Sequence, residues 1–138
     1  MSSIQIKQLI THLSEFTTQK RLRLFQEKIM ERTSKLTIVL EDIFHSQNTS
    51  AVLRTADCFG IQNIHIIENR NQHLTHPSIS LGSSKWLTKT IYNKQKENTQ
   101  HCLEKLRNDG FQILATTPYA KKNIYDVNTD DNKIALLF

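Results

Sequence analysis

Apolar side chains change their spacing several times along this 138-residue chain, and each change marks an element. Leu9, Ile10, Leu13 and Phe16 recur at helical spacing and predict an amphipathic helix over 4–16. Thr17 or Thr18 then caps a second helix, with Leu22, Phe25 and Ile29 on one face and Arg21, Arg23, Lys28 and Arg32 on the others. After a polar joint at 33–35, the run Leu36-Thr37-Ile38-Val39-Leu40 is apolar and rich in β-branched residues, the pattern of a buried strand. The segment 48–60 returns to the helical period, with Asn48 as N-cap and Gly60 as its stop. Ala51, Val52, Thr55, Ala56 and Phe59 are its expected buried face, with Arg54 at the edge of that stripe. Further strands are expected at 64–67, 86–92, 111–116 and 134–137. A helix over 97–108, buried through Cys102, Leu103 and Leu106, ends at Gly110. Residues 68–84, with Pro77, read as a polar loop.

Strand, helix and strand in so short a length form a βαβ unit, which requires a parallel pair joined by a crossover. The expected fold is therefore α/β, a parallel sheet with flanking helices over 36–138, preceded by a basic helical extension over 1–35. Ile134 to Phe138 is apolar to the last residue, so a central strand would end on a free carboxylate. Burying that charge unpaired is costly, and the expectation is that the chain is cut short.

Charge sharpens this division. Of the net +5, four units fall in residues 1–35, where seven basic side chains face three acidic ones. A patch of that kind attracts polyanions by releasing counterions, without reading sequence. Arg21, Arg23 and Arg32 of this patch, with His45 beyond it, are the candidates for contact with a polyanion backbone. No apolar run approaches membrane-spanning length and the N-terminus lacks the order of a signal peptide, so no membrane partner is expected and the cytoplasm is the expected location. Cys58 and Cys102 are too few and too far apart for a disulfide framework or a metal site, and His73 and His76 lack further ligands, so no metal is expected. There is no G-x-G-x-x-G fingerprint and no P-loop, which removes support for a dinucleotide site or an NTPase.

Two places carry candidate chemistry. Asn48 would stand at a helix mouth just after a strand, and Arg54 two turns along could reach out of the core to line a cleft. Ser83, Ser84 and Lys85 follow Gly82 in a loop whose amides, hydroxyls and ammonium could hold a phosphate.

The string Asn48-Thr49-Ser50-Ala51-Val52-Leu53-Arg54-Thr55-Ala56-Asp57-Cys58-Phe59-Gly60 resembles the first signature motif of the SpoU branch of RNA 2′-O-ribose methyltransferases, the trefoil-knotted, Rossmann-like SPOUT enzymes. Within that branch the chain looks most like the TrmH-type tRNA (guanosine-2′-O)-methyltransferases. Leu36 to Glu41 is similar to the strand leading into the motif, and Leu81 to Leu87 to the family's Gly-Ser-x-x-Trp segment. Phe111 to Thr117 resembles the strand whose final threonine contacts the methyl donor. The resemblance implies S-adenosyl-L-methionine as methyl donor, tRNA as substrate (a D-loop guanosine, with rRNA possible) and as the polyanion for Arg21, Arg23, Arg32 and His45, and a homodimer. It places Arg54 beside the ribose 2′-hydroxyl, gives Asn48 the task of orienting Arg54 or binding the ribose phosphate, and assigns Thr116 to the donor. Arg54 holds its proton too tightly for a plain general base and suits stabilisation of a developing oxyanion. The second and third motifs, which form the knot, are expected beyond Phe138. An RNA-binding module without catalysis is the alternative reading.

Overall fold

The computed structural model describes residues 2–128 and 132–138. It divides into two compact units, one ending at Arg32 and the other running from Thr33 to Phe138.

The first unit contains α1 (Ser3–Ser14) and α2 (Gln19–Met30). Ser2 caps α1 reciprocally: its hydroxyl accepts the Gln5 N–H at 3.3 Å and its own N–H reaches Gln5 Oε1 at 2.8 Å. Thr18 is the cap of α2, accepting the Arg21 N–H at 3.4 Å. The apolar stripes lie where the spacing places them, yet neither helix buries a residue. Leu9, Ile10, Leu13, Phe16 and Ile29 are all exposed. Two helices of twelve residues enclose too little surface to make a core by themselves.

The second unit is a five-stranded parallel sheet. It is built from β1 (Thr33–Glu41), β2 (Ile61–Ile67), β3 (Thr88–Tyr92), β4 (Phe111–Ala115) and β5 (Lys133–Leu137), in the order β3-β2-β1-β5-β4. Between β1 and β2 runs α3 (Ser46–Cys58). The short α4 (Pro77–Ser80) and a 3-10 turn (Ser83–Lys85) precede β3, and α5 (Asn98–Asn108) precedes β4. Residues 33–35, expected as a joint, belong to β1, because Thr33 already pairs with Ile61 and donates its N–H to Gly60 O at 2.8 Å.

The two faces of the sheet carry separate cores. Ile38, Leu40, Ile64 and Ile66 pack on one face against Leu53 and Ala56 of α3 and against Leu87. Val39, Ile67, Tyr92 and Ala135 pack on the other against Cys102 and Leu106 of α5. The buried side of α3 differs from the expected one. Thr49, Ser50, Leu53 and Ala56 are buried, whereas Ala51 and Thr55 face outward and Phe59 is 78% exposed. Both sets satisfy a period near 3.6. The polar set goes inside because Ser50 is satisfied there: its hydroxyl donates to Ser46 O at 2.7 Å and accepts the His76 N–H at 2.6 Å. The helix also starts earlier than expected. His45 is the N-cap and Asn48 the third helical residue, while Gly60, at φ 70°, provides the left-handed stop.

Candidate functional site

Open parallel sheets bind ligands outside the carboxyl ends of their strands, where the chain order switches direction. In this order the switch falls at β1, β5 and β4. Their ends are tied together through the backbone. Phe138 N–H donates to Val39 O at 3.0 Å, Glu41 N–H to Phe138 O at 2.9 Å, and Thr116 N–H to Leu137 O at 2.9 Å. Thr116 therefore sits at this edge, just past the end of β4, with its hydroxyl donating to Leu137 O at 3.1 Å.

The loop 42–45 leads from the end of β1 into α3, so the N-terminus of that helix opens at the same edge. His45 is exposed there, edge-on to Phe44 at 4.9 Å between ring centroids. Asn48 lies in the first turn, its N–H donating to His45 O at 3.0 Å, with its side chain exposed. Arg54 is exposed on the outer face of α3, and with the described residues it forms neither a hydrogen bond nor an ion pair. Buried Leu53 and Ala56 anchor that face from behind. α4 and the 3-10 turn both pack against α3. Gly82, at φ 87°, turns the chain so that Ser83 is buried, Ser84 half-buried and Lys85 exposed. The second unit thus brings Ser84 and Lys85 to the helix that bears Asn48 and Arg54. Arg21 and Arg23 are exposed on α2 and Arg32 follows it, all three in the first unit. Arg21 stands 5.6 Å from the centre of the Phe25 ring.

A carboxylate network behind this edge was not anticipated. Asp42 takes up φ 48°, which Asp tolerates better than most residues. Its Oδ1 accepts the backbone N–H groups of Asn69 (2.7 Å), Arg70 (2.8 Å) and Asn71 (3.3 Å). Partial desolvation pushes the Asp42 carboxyl upward, but the bonds from Arg70, Asn69 and Asn71 and the Arg70 charge outweigh it and hold it below its ordinary value. Next to it, Glu41 Oε1 accepts the Thr99 hydroxyl, and Asn69 bridges the same pair, reaching Thr99 Oγ1 at 2.8 Å. Glu68 accepts the His73 N–H at 2.8 Å and the Asn93 side chain at 2.7 Å. Together with Ser50, these groups pin the loop after β2 at several points. The adjacent acids Glu41-Asp42 at a strand end were the available signal, but their partners lie 27 to 58 residues further along.

An apolar cleft of about 310 Å³ lies against β1, β5 and β4, lined by Leu36, Leu114, Val127, Ile134 and Leu136. Among the described residues, no cluster of His, Cys, Asp or Glu could hold a metal ion. No helix there is long and apolar enough to cross a membrane.

Comparison with known proteins gives a consistent result. The model of the SpoU rRNA Methylase family matches residues 35–138. A tRNA (guanosine(18)-2′-O)-methyltransferase of Borreliella burgdorferi is 39% identical over 126 residues, covering 91% of this chain and 56% of that protein. The protein of the same description from Thermus thermophilus is 30% identical over 99 residues, covering 72% of this chain and 49% of its own length. Among solved structures, the A. aeolicus TrmH/SpoU tRNA modifying enzyme superposes with a TM-score of 0.71 at 26% identity, over 86% of this chain and 58% of that one. An rRNA methyltransferase from Sinorhizobium meliloti shares the fold, with a TM-score of 0.61 at 18% identity over 78% of this chain and 40% of its own. The chain spans about half the length of the curated relatives it matches.

Proposed function

The chain belongs to the SpoU rRNA methylase family, and from that premise we propose that the protein transfers a methyl group from S-adenosyl-L-methionine to a ribose 2′-hydroxyl of tRNA, at a D-loop guanosine. The observation that carries the reading is Arg54: exposed, without a hydrogen bond or ion pair to the described residues, and set on a helix that buried Leu53 and Ala56 anchor and whose mouth opens at the carboxyl edge of the sheet. The donor supplies an electrophilic sulfonium methyl. Arg54 holds its proton and places a fixed positive charge beside the 2′-oxygen, where negative charge grows as that oxygen attacks. The hydroxyl proton passes to a phosphate oxygen of the substrate or to water. Asn48, with its amide exposed in the first turn of α3, binds the neighbouring phosphate or steers Arg54. Ser84 and Lys85 hold a second phosphate beside the same helix.

Thr116 fits a donor-contacting role by position, because its hydroxyl lies at the edge where the strand order switches and keeps its lone pairs for a ligand while donating to Leu137 O. Arg21, Arg23, Arg32 and His45 add backbone attraction for the polyanion. A homodimer acting in the cytoplasm completes the proposal.

The test is transfer of labelled methyl from S-adenosylmethionine to unmodified tRNA by the intact gene product. Arg54→Ala should abolish transfer while leaving most of the RNA affinity. Normal turnover in that variant removes Arg54 from the chemistry. RNA binding without any transfer by the unaltered protein favours the non-catalytic alternative.

A further inference from the structure

A second concentration of positive charge lies away from Arg54. Residues 85–96 hold four lysines (Lys85, Lys89, Lys94 and Lys96) and no acid, and all four are exposed. Lys85 precedes β3, Lys89 lies within it and Lys94 and Lys96 follow it, and this strand forms one edge of the sheet. At the carboxyl end of that strand a cleft of about 250 Å³ opens against α5, lined among others by Thr90, Lys94, His101 and Lys105. Tyr92 forms its inner wall, edge-on to the His101 ring at 5.7 Å. Asn93 and Asn98 are already held by Glu68, through its carboxylate at 2.7 Å and its carbonyl at 3.3 Å, so the walls are built rather than loose.

Two ammonium groups at one cleft repel one another unless an anion enters, and the His101 ring beside them offers a further N–H donor. The nearest compensation is partial: Lys105 meets Asp109 at 3.7 Å on the exposed surface of α5, and Lys94 forms no ion pair with the described residues. The field reaches inward. Behind Tyr92, the imidazole of His65 is held below its ordinary basicity by burial first and by the Lys105 charge second. Lysines on a free edge strand also guard against edge-to-edge pairing, and Lys89 suits that purpose. Edge protection does not account for Lys94, His101 and Lys105, which come from the following loop and from a helix and meet at a single cleft.

We infer that this cleft is a second RNA-backbone site, seating a phosphodiester group between Lys94, His101 and Lys105. It lies on the α5 face of the sheet, opposite the face that carries α3 and Arg54. The inference rests on the proposed RNA substrate and extends the contact area from the reacting ribose to a remote stretch of the same molecule.

The test compares the unaltered 138-residue chain with Lys94→Gln/Lys105→Gln in binding to an unmodified tRNA transcript, with salt varied. Each phosphate contact contributes roughly 0.7–0.9 to the slope of log K against log salt, so the double variant, which empties a site for one phosphate, should lose about 0.7–0.9 from the slope. A control, Lys121→Gln/Lys122→Gln, removes the same charge from exposed positions elsewhere and should change the slope by much less. Thermal unfolding of both variants near the unaltered midpoint excludes misfolding as the cause, because exposed pairs such as Lys105–Asp109 add little stability. An unchanged slope in the cleft variant, or an equal loss in the control, overturns this site and leaves the methyltransferase reading in place. Self-association of the cleft variant with an unchanged slope identifies these lysines as edge guards instead. No binding of tRNA by the unaltered chain overturns this site, and the methyl-transfer assay then decides the methyltransferase reading separately.

Discussion

Replacing Asp42 tests how the carboxyl edge of the sheet is held. One oxygen of this side chain accepts three backbone N–H groups, from Asn69, Arg70 and Asn71, at 2.7, 2.8 and 3.3 Å. Hydrogen bonds to a charged acceptor contribute up to about 3 kcal/mol each when buried. Here Asn69 and Arg70 are exposed and Asn71 half-buried, so water replaces much of what is lost. A net contribution of roughly 0.5–1 kcal/mol per bond gives about 2 kcal/mol for the side chain. Asp42→Gly removes the carboxylate while accepting φ 48° without strain, so it isolates that quantity apart from the added chain entropy of glycine. Asp42→Ala should cost about 1 kcal/mol beyond the side-chain loss, from the left-handed backbone. Asp42→Asn keeps one acceptor oxygen and should be the mildest of the three.

Urea unfolding of the chain measures these differences, and hydrogen exchange at the amides of 69–71 locates them. The pH dependence supplies an independent check. Because the folded carboxyl titrates below its ordinary value of 3.8, its contribution is complete above that pH and is lost as pH falls through the depressed folded value. The gap between unaltered chain and Asp42→Asn should therefore narrow in acid. A cost for Asp42→Gly below about 0.5 kcal/mol, with exchange at 69–71 unchanged, would refute the claim that this carboxylate holds the loop.

The other predictions concern the support of α3 and the two thiols. Leu53 is fully buried against the Ile38, Leu40 and Ile64 cluster, so Leu53→Ala should destabilise by about 3–4 kcal/mol in urea unfolding. A loss under about 1 kcal/mol would show that α3 is not seated on the sheet through this residue. Cys102 is buried, and desolvation with the nearby Glu41 charge pushes its thiol up to about 11 against the opposing Tyr92 bond and Lys105 charge, whereas Cys58 is exposed. Iodoacetamide at about pH 8 should label Cys58 in the folded chain and spare Cys102, as read by peptide mass spectrometry. Equal labelling would show that the α5 face opens on the time scale of the reaction.

Much of this molecule could be read locally. The β-branched run 36–40 became the centre of β1, Thr18 capped α2, Gly60 closed α3, and Phe111 to Ala115 formed β4. Arg54 could be singled out because its neighbours form a recognisable string, and it emerged exposed on a helix at the sheet edge. The buried face of α3 could not be read the same way. Its sequence offers two stripes at helical spacing, and the more apolar one lost. Ser50 and Thr49 turn inward because His76, 26 residues later, supplies a partner for the Ser50 hydroxyl, while Phe59 is left exposed.

Local pattern thus determined which of the main segments are strands and helices and which side chains are candidates for chemistry, while the first residues of β1, α3 and β3 were set by strand pairing and caps outside the pattern. What the pattern determined depends on neighbours within a turn or two, and a period or a cap records them. Tertiary structure alone decided that β5 inserts between β1 and β4, so that Thr116 and the end of β1 meet at one edge. It also decided that Asp42 gathers three amides from beyond β2, and that Lys94, His101 and Lys105 share a cleft. These juxtapositions join residues far apart in the chain through strand pairing and crossover, and no local period encodes them.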